Sequence, residues 1–154
     1  MTDKKQVHLY TDGSCDTGSR RGGWAYLLVY NGVRQQAAGF EADTTNNRME
    51  LSAAVKGLER LKEGCFVTLT TDSQYLRRAF TDGWLTTWQR NGWRTAAKTP
   101  VKNKDLWLEL LALADVHELS WAWIKGHAGH TENELVDALA LKARKTGKSV
   151  EEVV

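Results

Sequence analysis

The chain has 154 residues, 42% hydrophobic and 26% charged, with one proline and a formal net charge of +2. That length suits one domain with a full core, the composition excludes a disordered or fibrous chain, and no apolar run approaches the roughly 20 residues of a membrane span. We therefore expect a single domain over residues 1–154, with its core at about 6–145 and a short tail at 146–154.

The first residues, Met1 to Lys5, pass into a strand pattern without a signal-peptide core, so a cytoplasmic location is expected. Residues 6–12 and 23–42 read as three strands, with β-branched and aromatic residues from Trp24 to Tyr30 and a hairpin turn at Asn31-Gly32. From Thr44-Thr45-Asn46-Asn47 the pattern changes to Met49, Ala53, Val55, Leu58 and Leu61, a helix whose start is rich in capping side chains. Gly64 stops it, Phe66 to Thr71 forms a fourth strand, and Ser73 opens a second helix through Leu76 and Ala79-Phe80. A tryptophan-bearing segment follows, then a helix after Pro100 with Leu106, Leu110, Leu111 and Leu113 on its apolar side. Leu119 to Ile124 reads as a fifth strand, Lys125 to Thr131 as a glycine-punctuated loop, and a last helix begins near Asn133 with Leu135, Leu139 and Ala143 as its stripe. Strands alternating with helices place the chain in the α/β class.

Charge is distributed unevenly. Residues 77–104 carry Arg77, Arg78, Arg90, Arg94, Lys98, Lys102 and Lys104 against Asp82 alone, which leaves the rest of the chain net negative. A polyanion held by one part of the surface fits that asymmetry, as does a plain solvated basic face. The two cysteines, Cys15 and Cys65, match no metal-ligand spacing and read as free thiols.

Asp12 and Asp72 each end a strand pattern, where ligands bind in open α/β sheets, while Glu50 and Asp137 lie within helical patterns. Two carboxylates about 4 Å apart repel by roughly 4 kcal/mol at an effective dielectric near 20, so a convergent set calls for cations. Such a set is a site for hard divalent metals. Glu134 shares a helical face with Asp137 and takes a secondary role.

Four stretches carry a resemblance: Tyr10-Thr11-Asp12-Gly13-Ser14-Cys15, Thr45-Asn46-Asn47-Arg48-Met49-Glu50-Leu51, Thr71-Asp72-Ser73-Gln74-Tyr75, and Trp123-Ile124-Lys125-Gly126-His127-Ala128-Gly129-His130. With Gly92 to Thr95 and Pro100 to Asn103, they make the chain similar to bacterial-type ribonuclease HI from about residue 6 to 145. The resemblance implies a ribonuclease H-like fold: a five-stranded mixed sheet, an antiparallel meander followed by parallel strands, flanked by helices. It implies an endonuclease that cuts the RNA strand of RNA/DNA hybrids, leaving 5′-phosphate and 3′-hydroxyl ends. Asp12, Glu50, Asp72 and Asp137 would then bind two Mg²⁺ ions, with Mn²⁺ as a substitute, and His127 would relay protons or help release the cut phosphate.

The same resemblance places Cys15, Thr45, Asn46, Asn47, Ser73 and Gln74 toward the hybrid's minor groove. It assigns the DNA backbone to a basic protrusion with Trp84, Trp88, Arg90, Arg94, Lys98 and Lys102, although Trp84 and Trp88, four apart, also have the spacing of a packed helical stripe. A monomer is expected. Departures from the pattern are Asp16-Thr17-Gly18-Ser19-Arg20-Arg21, where relatives carry a glycine-asparagine-proline-glycine loop, and Asp43, where a cation would help hold phosphate. Arg20 and Arg21 are candidates to compensate, and weaker hybrid binding is expected. A domain that binds hybrid without cutting it gains nothing from four clustered acids, and an integrase- or resolvase-like DNA nuclease is disfavoured by the Asn46-Asn47 and Lys125-Gly126-His127 motifs.

Overall fold

A computed structural model of the chain describes residues 4–125 and 129–153, with the side chains of residues 152 and 153 left aside. The strands are β1 (Lys5–Cys15), β2 (Gly22–Tyr30), β3 (Val33–Glu41), β4 (Cys65–Thr71), β5 (Glu118–Trp123) and β6 (Val150–Val153). The helices are α1 (Asn46–Glu59), α2 (Gln74–Thr81), α3 (Trp84–Arg90), α4 (Lys104–Val116) and α5 (Thr131–Thr146). The strands form one mixed sheet in the order β5-β4-β1-β2-β3-β6.

The meander appears as the sequence predicts. β1, β2 and β3 pair antiparallel, and the hairpin between the last two turns at Asn31 (φ 52°) and Gly32 (φ 79°), the pair of positive φ values that matches a sheet's twist. β4 joins β1 in parallel and β5 joins β4 in parallel, each after a helical crossover.

Two expectations need correction. The sheet has six strands, not five: residues 150–153, assigned to the tail, pair antiparallel with β3 through Gln35↔Val153 to Ala38↔Val150. The outer edge of β3 offers unpaired backbone groups, and the short segment Val-Glu-Glu-Val takes them up. The stripe of α5 also differs. Its buried residues are Asn133, Val136, Ala140 and Ala143, while Leu135 and Leu139 are half-buried at the margin.

The core has two compartments, one on each face of the sheet. On one face Leu9, Leu28, Leu51, Leu58, Leu69 and Trp107 gather under α1, α2 and α4. On the other, Ala25, Leu27, Ala38, Val136, Ala140 and Ala143 seat α5 against the meander. The small residues in this second layer follow from Gly23, where a β-carbon would collide with the Ala140 carbonyl. α5 can lie directly on β2 only because glycine is there.

Local signals account for the starts of α1 and α2. Thr45 caps α1 by accepting the Arg48 N–H at 3.1 Å, and Ser73 caps α2 by accepting the Leu76 N–H at 3.1 Å. None of the described helices is long and apolar enough to cross a membrane.

Candidate active site

β1 and β4 run in parallel register from Lys5↔Cys65 to Tyr10↔Thr70, after which β1 continues with β2 alone as far as Cys15. Asp12 and Asp72 stand where the two strands part, Asp12 opposite Ala25 of β2 and Asp72 just past the end of β4. α1 delivers Glu50 from its first turns. Gly13 makes that delivery possible, since a β-carbon there would fall on the backbone of Met49 and Glu50. One oxygen each from Asp12, Glu50 and Asp72 lies within 4.8 Å of the others. Asp137, carried by α5 from the second face, joins them through a hydrogen bond between its carboxyl group and that of Asp12.

The electrostatics are those of carboxylates crowded together and partly withdrawn from solvent. Asp12 is only 8% exposed. Burial, then the Asp72 charge and the hydrogen bond with Asp137, push its pKa up to about 8, against a smaller opposing pull from the Gly13 N–H that donates to Oδ1 at 2.9 Å. Glu50 is also raised, chiefly by burial and in part by Asp72. The Ser73 hydroxyl, which donates to Glu50 Oε2, and the Asn46 amide, which donates to Oε1 at 3.2 Å, oppose that rise. An all-oxygen carboxylate set fits a hard divalent ion better than a zinc-like one.

Ser73 and Asn46 act directly on Glu50, as described, while Asn47 and Gln74 are exposed beside them. Cys15, Thr45 and Asn46 line a cavity of about 230 Å³ together with Thr17, Arg20 and Thr44. Glu134 is exposed, and its Oε1 accepts the Gly129 N–H at 3.2 Å, which ties the end of the preceding loop to α5. His127 lies outside the described residues.

The tryptophans of the basic segment are packing residues. Trp88 sits within 6.0 Å, centroid to centroid, of Trp84, Trp93 and Trp107, and both Trp84 and Trp88 are half-buried. The cations Arg90, Arg94, Lys98 and Lys102 are exposed around them. Arg94 is partly committed, donating to the Lys98 carbonyl at 3.0 Å.

One arrangement has no counterpart in the sequence reading. Arg48 of α1 meets Asp105 of α4 through two hydrogen bonds, at 3.0 and 2.7 Å, and reaches Asn103 Oδ1 at 3.3 Å. Asn103 and the Trp107 indole N–H in turn donate to the Tyr75 hydroxyl at 3.2 and 2.9 Å. This chain of contacts fastens α1, α2 and α4 to one another beside the carboxylates. Arg48 and Asn103 stand inside the quoted motifs, so position in a motif was the available signal.

Comparisons with known proteins agree with this geometry. The RNase H family profile matches residues 4–145. A protein of Hydrogenovibrio crunogenus named Ribonuclease H is 55% identical over 139 residues, covering 90% of this chain and 95% of its own length. One from Legionella pneumophila (strain Corby), also named Ribonuclease H, is 56% identical over 135 residues, covering 88% of this chain and 94% of its own. Ribonuclease HI of Neisseria meningitidis serogroup A is 54% identical over 134 residues, covering 87% and 92%. Among solved structures, LC9-RNase H1, described as a type 1 RNase H with the type 2 active-site motif, superposes with a TM-score of 0.83 at 30% identity, covering 99% of this chain and 80% of that one.

Proposed function

The chain belongs to the ribonuclease H family, a family of nucleases acting on RNA/DNA hybrids, and from that premise we propose that it cuts the RNA strand endonucleolytically by a two-metal-ion mechanism, leaving 5′-phosphate and 3′-hydroxyl ends. The observation that carries this reading is the convergence of Asp12, Glu50 and Asp72 within 4.8 Å, at the mouth between two parting strands.

Asp12, Glu50, Asp72 and Asp137 are the proposed ligands, with Asp12, the most buried and central, in the bridging position. Two Mg²⁺ ions held there, or Mn²⁺ in their place, would supply an activated water and stabilise charge on the departing oxygen. Ser73 and Asn46 fix the orientation of Glu50 by donating to its two oxygens. Glu134 serves a secondary role by holding the loop end at Gly129, and His127 is the proposed proton relay.

Recognition of the hybrid divides between two surfaces. Short polar side chains at Cys15, Thr45, Asn46, Asn47, Ser73 and Gln74 surround the carboxylates and read the presence or absence of 2′-hydroxyl groups. Arg90, Arg94, Lys98 and Lys102 hold the DNA backbone, carried on the Trp84 and Trp88 platform. A cytoplasmic monomer is the form in which we propose that it acts.

The test is a labelled RNA/DNA hybrid with matching RNA and DNA duplexes, incubated in Mg²⁺ or EDTA, for the native chain and Asp12→Asn. Cleavage confined to the RNA strand of the hybrid, and lost with EDTA and with the substitution, is expected. Binding without cleavage in both Mg²⁺ and Mn²⁺ would sink the reading.

A further inference from the structure

The loop joining β1 to β2 carries two adjacent arginines, Arg20 and Arg21, and the structure shows where they go. Arg20 pairs with Asp43, Nε to Oδ1 at 3.1 Å, so the acid beside the 230 Å³ cavity consumes one of them. Arg21 goes elsewhere. Its guanidinium lies over the Phe40 ring, 4.6 Å from the centroid, and reaches Gly147, the residue that ends α5 with φ 70°. There it meets the last turn of α5, where Arg144 and Lys145 stand.

Arg21, Arg144 and Lys145 line one cavity of about 130 Å³ with Ser19 and Asp16. Among the described residues, none of these three cations takes part in an ion pair. Asp16 is the acid at this cavity, and one of its carboxylate oxygens is already engaged by the Ser19 N–H and hydroxyl, at 3.2 and 2.7 Å. The group is therefore a net positive concavity. Stacking of Arg21 on an aromatic face fixes its position before any ligand arrives, which lowers the ordering cost of binding.

Its place in the fold matters. Asp16, just past the end of β1, follows Asp12 by four residues, so the concavity begins about 13 Å from the carboxylates. It lies at the C-terminal end of α5, on that helix's side of the sheet, whereas the basic segment with Arg90, Arg94, Lys98 and Lys102 packs through Trp84 and Trp88 against α2 and α4 on the other face. A duplex lying across Asp12 and the basic segment spans more than one group of phosphates, and this second group of cations is within reach of its backbone.

We propose that Arg21, Arg144 and Lys145 form a second backbone-phosphate contact for the hybrid, on the opposite side of the carboxylates from the basic segment; the proposal rests on the functional reading above. It is a contact without sequence information, made by a fork of guanidinium groups and one ammonium.

The test is hybrid binding by fluorescence anisotropy in EDTA over a range of salt concentrations. Arg144→Gln combined with Lys145→Gln is expected to make the slope of log K against log salt shallower by about 2 and to weaken binding about tenfold at 0.15 M salt, and Arg21→Gln by about 1 in slope. Arg144→Lys with Lys145→Arg should restore the slope, and Arg34→Gln with Lys62→Gln, which removes the same charge elsewhere, should leave it unchanged. An unchanged slope in the first double variant with unchanged Tm would overturn the proposal, as would equal losses in both charge-removing doubles. Calorimetric titration with inorganic phosphate separates a free-anion site: heat lost in the variant while the hybrid slope stays would also overturn it. A chain that binds hybrid in EDTA but never cleaves it in Mg²⁺ fails the functional reading and still scores this contact, and a chain that grips no nucleic acid fails both.

Discussion

The carboxylate cluster and the basic segment at 84–103 reach their shapes by opposite means. The first is held by backbone approach: two strands part, Gly13 admits α1, Gly23 admits α5, and four acids meet with Asp12 buried and the other three half-buried. The second is held by ring packing, with Trp84, Trp93 and Trp107 gathered on Trp88 and the cations exposed at the rim. A buried site built from backbone contacts is intolerant of single changes, whereas a rim of separate charges loses function by degrees. The difference teaches that chemistry here should fail abruptly and affinity gradually.

The sharpest break in that contrast is Asp12→Asn, expected to reduce hybrid cleavage by about 10³-fold or more in a single-turnover assay, because no neighbouring group replaces the most buried ligand. Gly13→Ala comes next. The added methyl must displace the start of α1, at a cost of roughly 3 kcal/mol or more in urea unfolding, together with loss of Mg²⁺-dependent stabilisation.

The same Asp12→Asn variant should behave in the reverse sense when stability is measured in EDTA. Asp12 has a folded pKa of about 8, above its unfolded value of 3.8, so its contribution is fully present below about pH 4 and is lost as pH rises through about 8. The native chain should therefore lose stability relative to Asp12→Asn across that window, by several kcal/mol at pH 8, and Mg²⁺ should shrink the difference. His117 is buried and its pKa is lowered chiefly by burial, which acts in the opposite sense as pH falls below about 6.5; taking the difference between the two chains removes it. Equal pH profiles in EDTA would mean that the acids are not in the environment described. The smallest expected effects belong to the segment: Arg90→Gln, Lys98→Gln and Lys102→Gln should each weaken binding only about threefold to fivefold at 0.15 M salt, adding almost independently in combination. An abrupt loss from any one of them would erase the contrast.

How much of this was legible in the residues follows the same division. Asp12 and Asp72 were visible because each ends a strand pattern, and Glu50 because it lies early in a well-capped helix. That Asp137 joins them, and in what role, came through the resemblance to known relatives, since nothing in helical periodicity aims one acid of α5 at β1. Helical periodicity puts Leu135 and Leu139 on the inner stripe of α5 because it weighs large apolar residues above small ones. Gly23 reverses that weighting, since a helix lying on bare backbone turns Ala140 inward and leaves Leu139 at the margin. The sixth strand was not legible at all, because its pairing depends on the vacant edge of β3, a property of the folded sheet and not of Val150 to Val153. The pairing of Arg20 with Asp43 was likewise out of reach, although both had been singled out, because it depends on two loops meeting.

The gathering of indole rings has an optical consequence. Trp88 has three other tryptophans within 6.0 Å, and Trp121 and Trp123 stack at 4.9 Å with an 8° tilt, so excitation absorbed by one ring passes readily to its neighbours. Emission then reports the group and not a single fluorophore. Undocking of the segment from Trp107 would separate the absorbers, and the unlabelled chain would signal it as a change in quenching and in near-ultraviolet ellipticity.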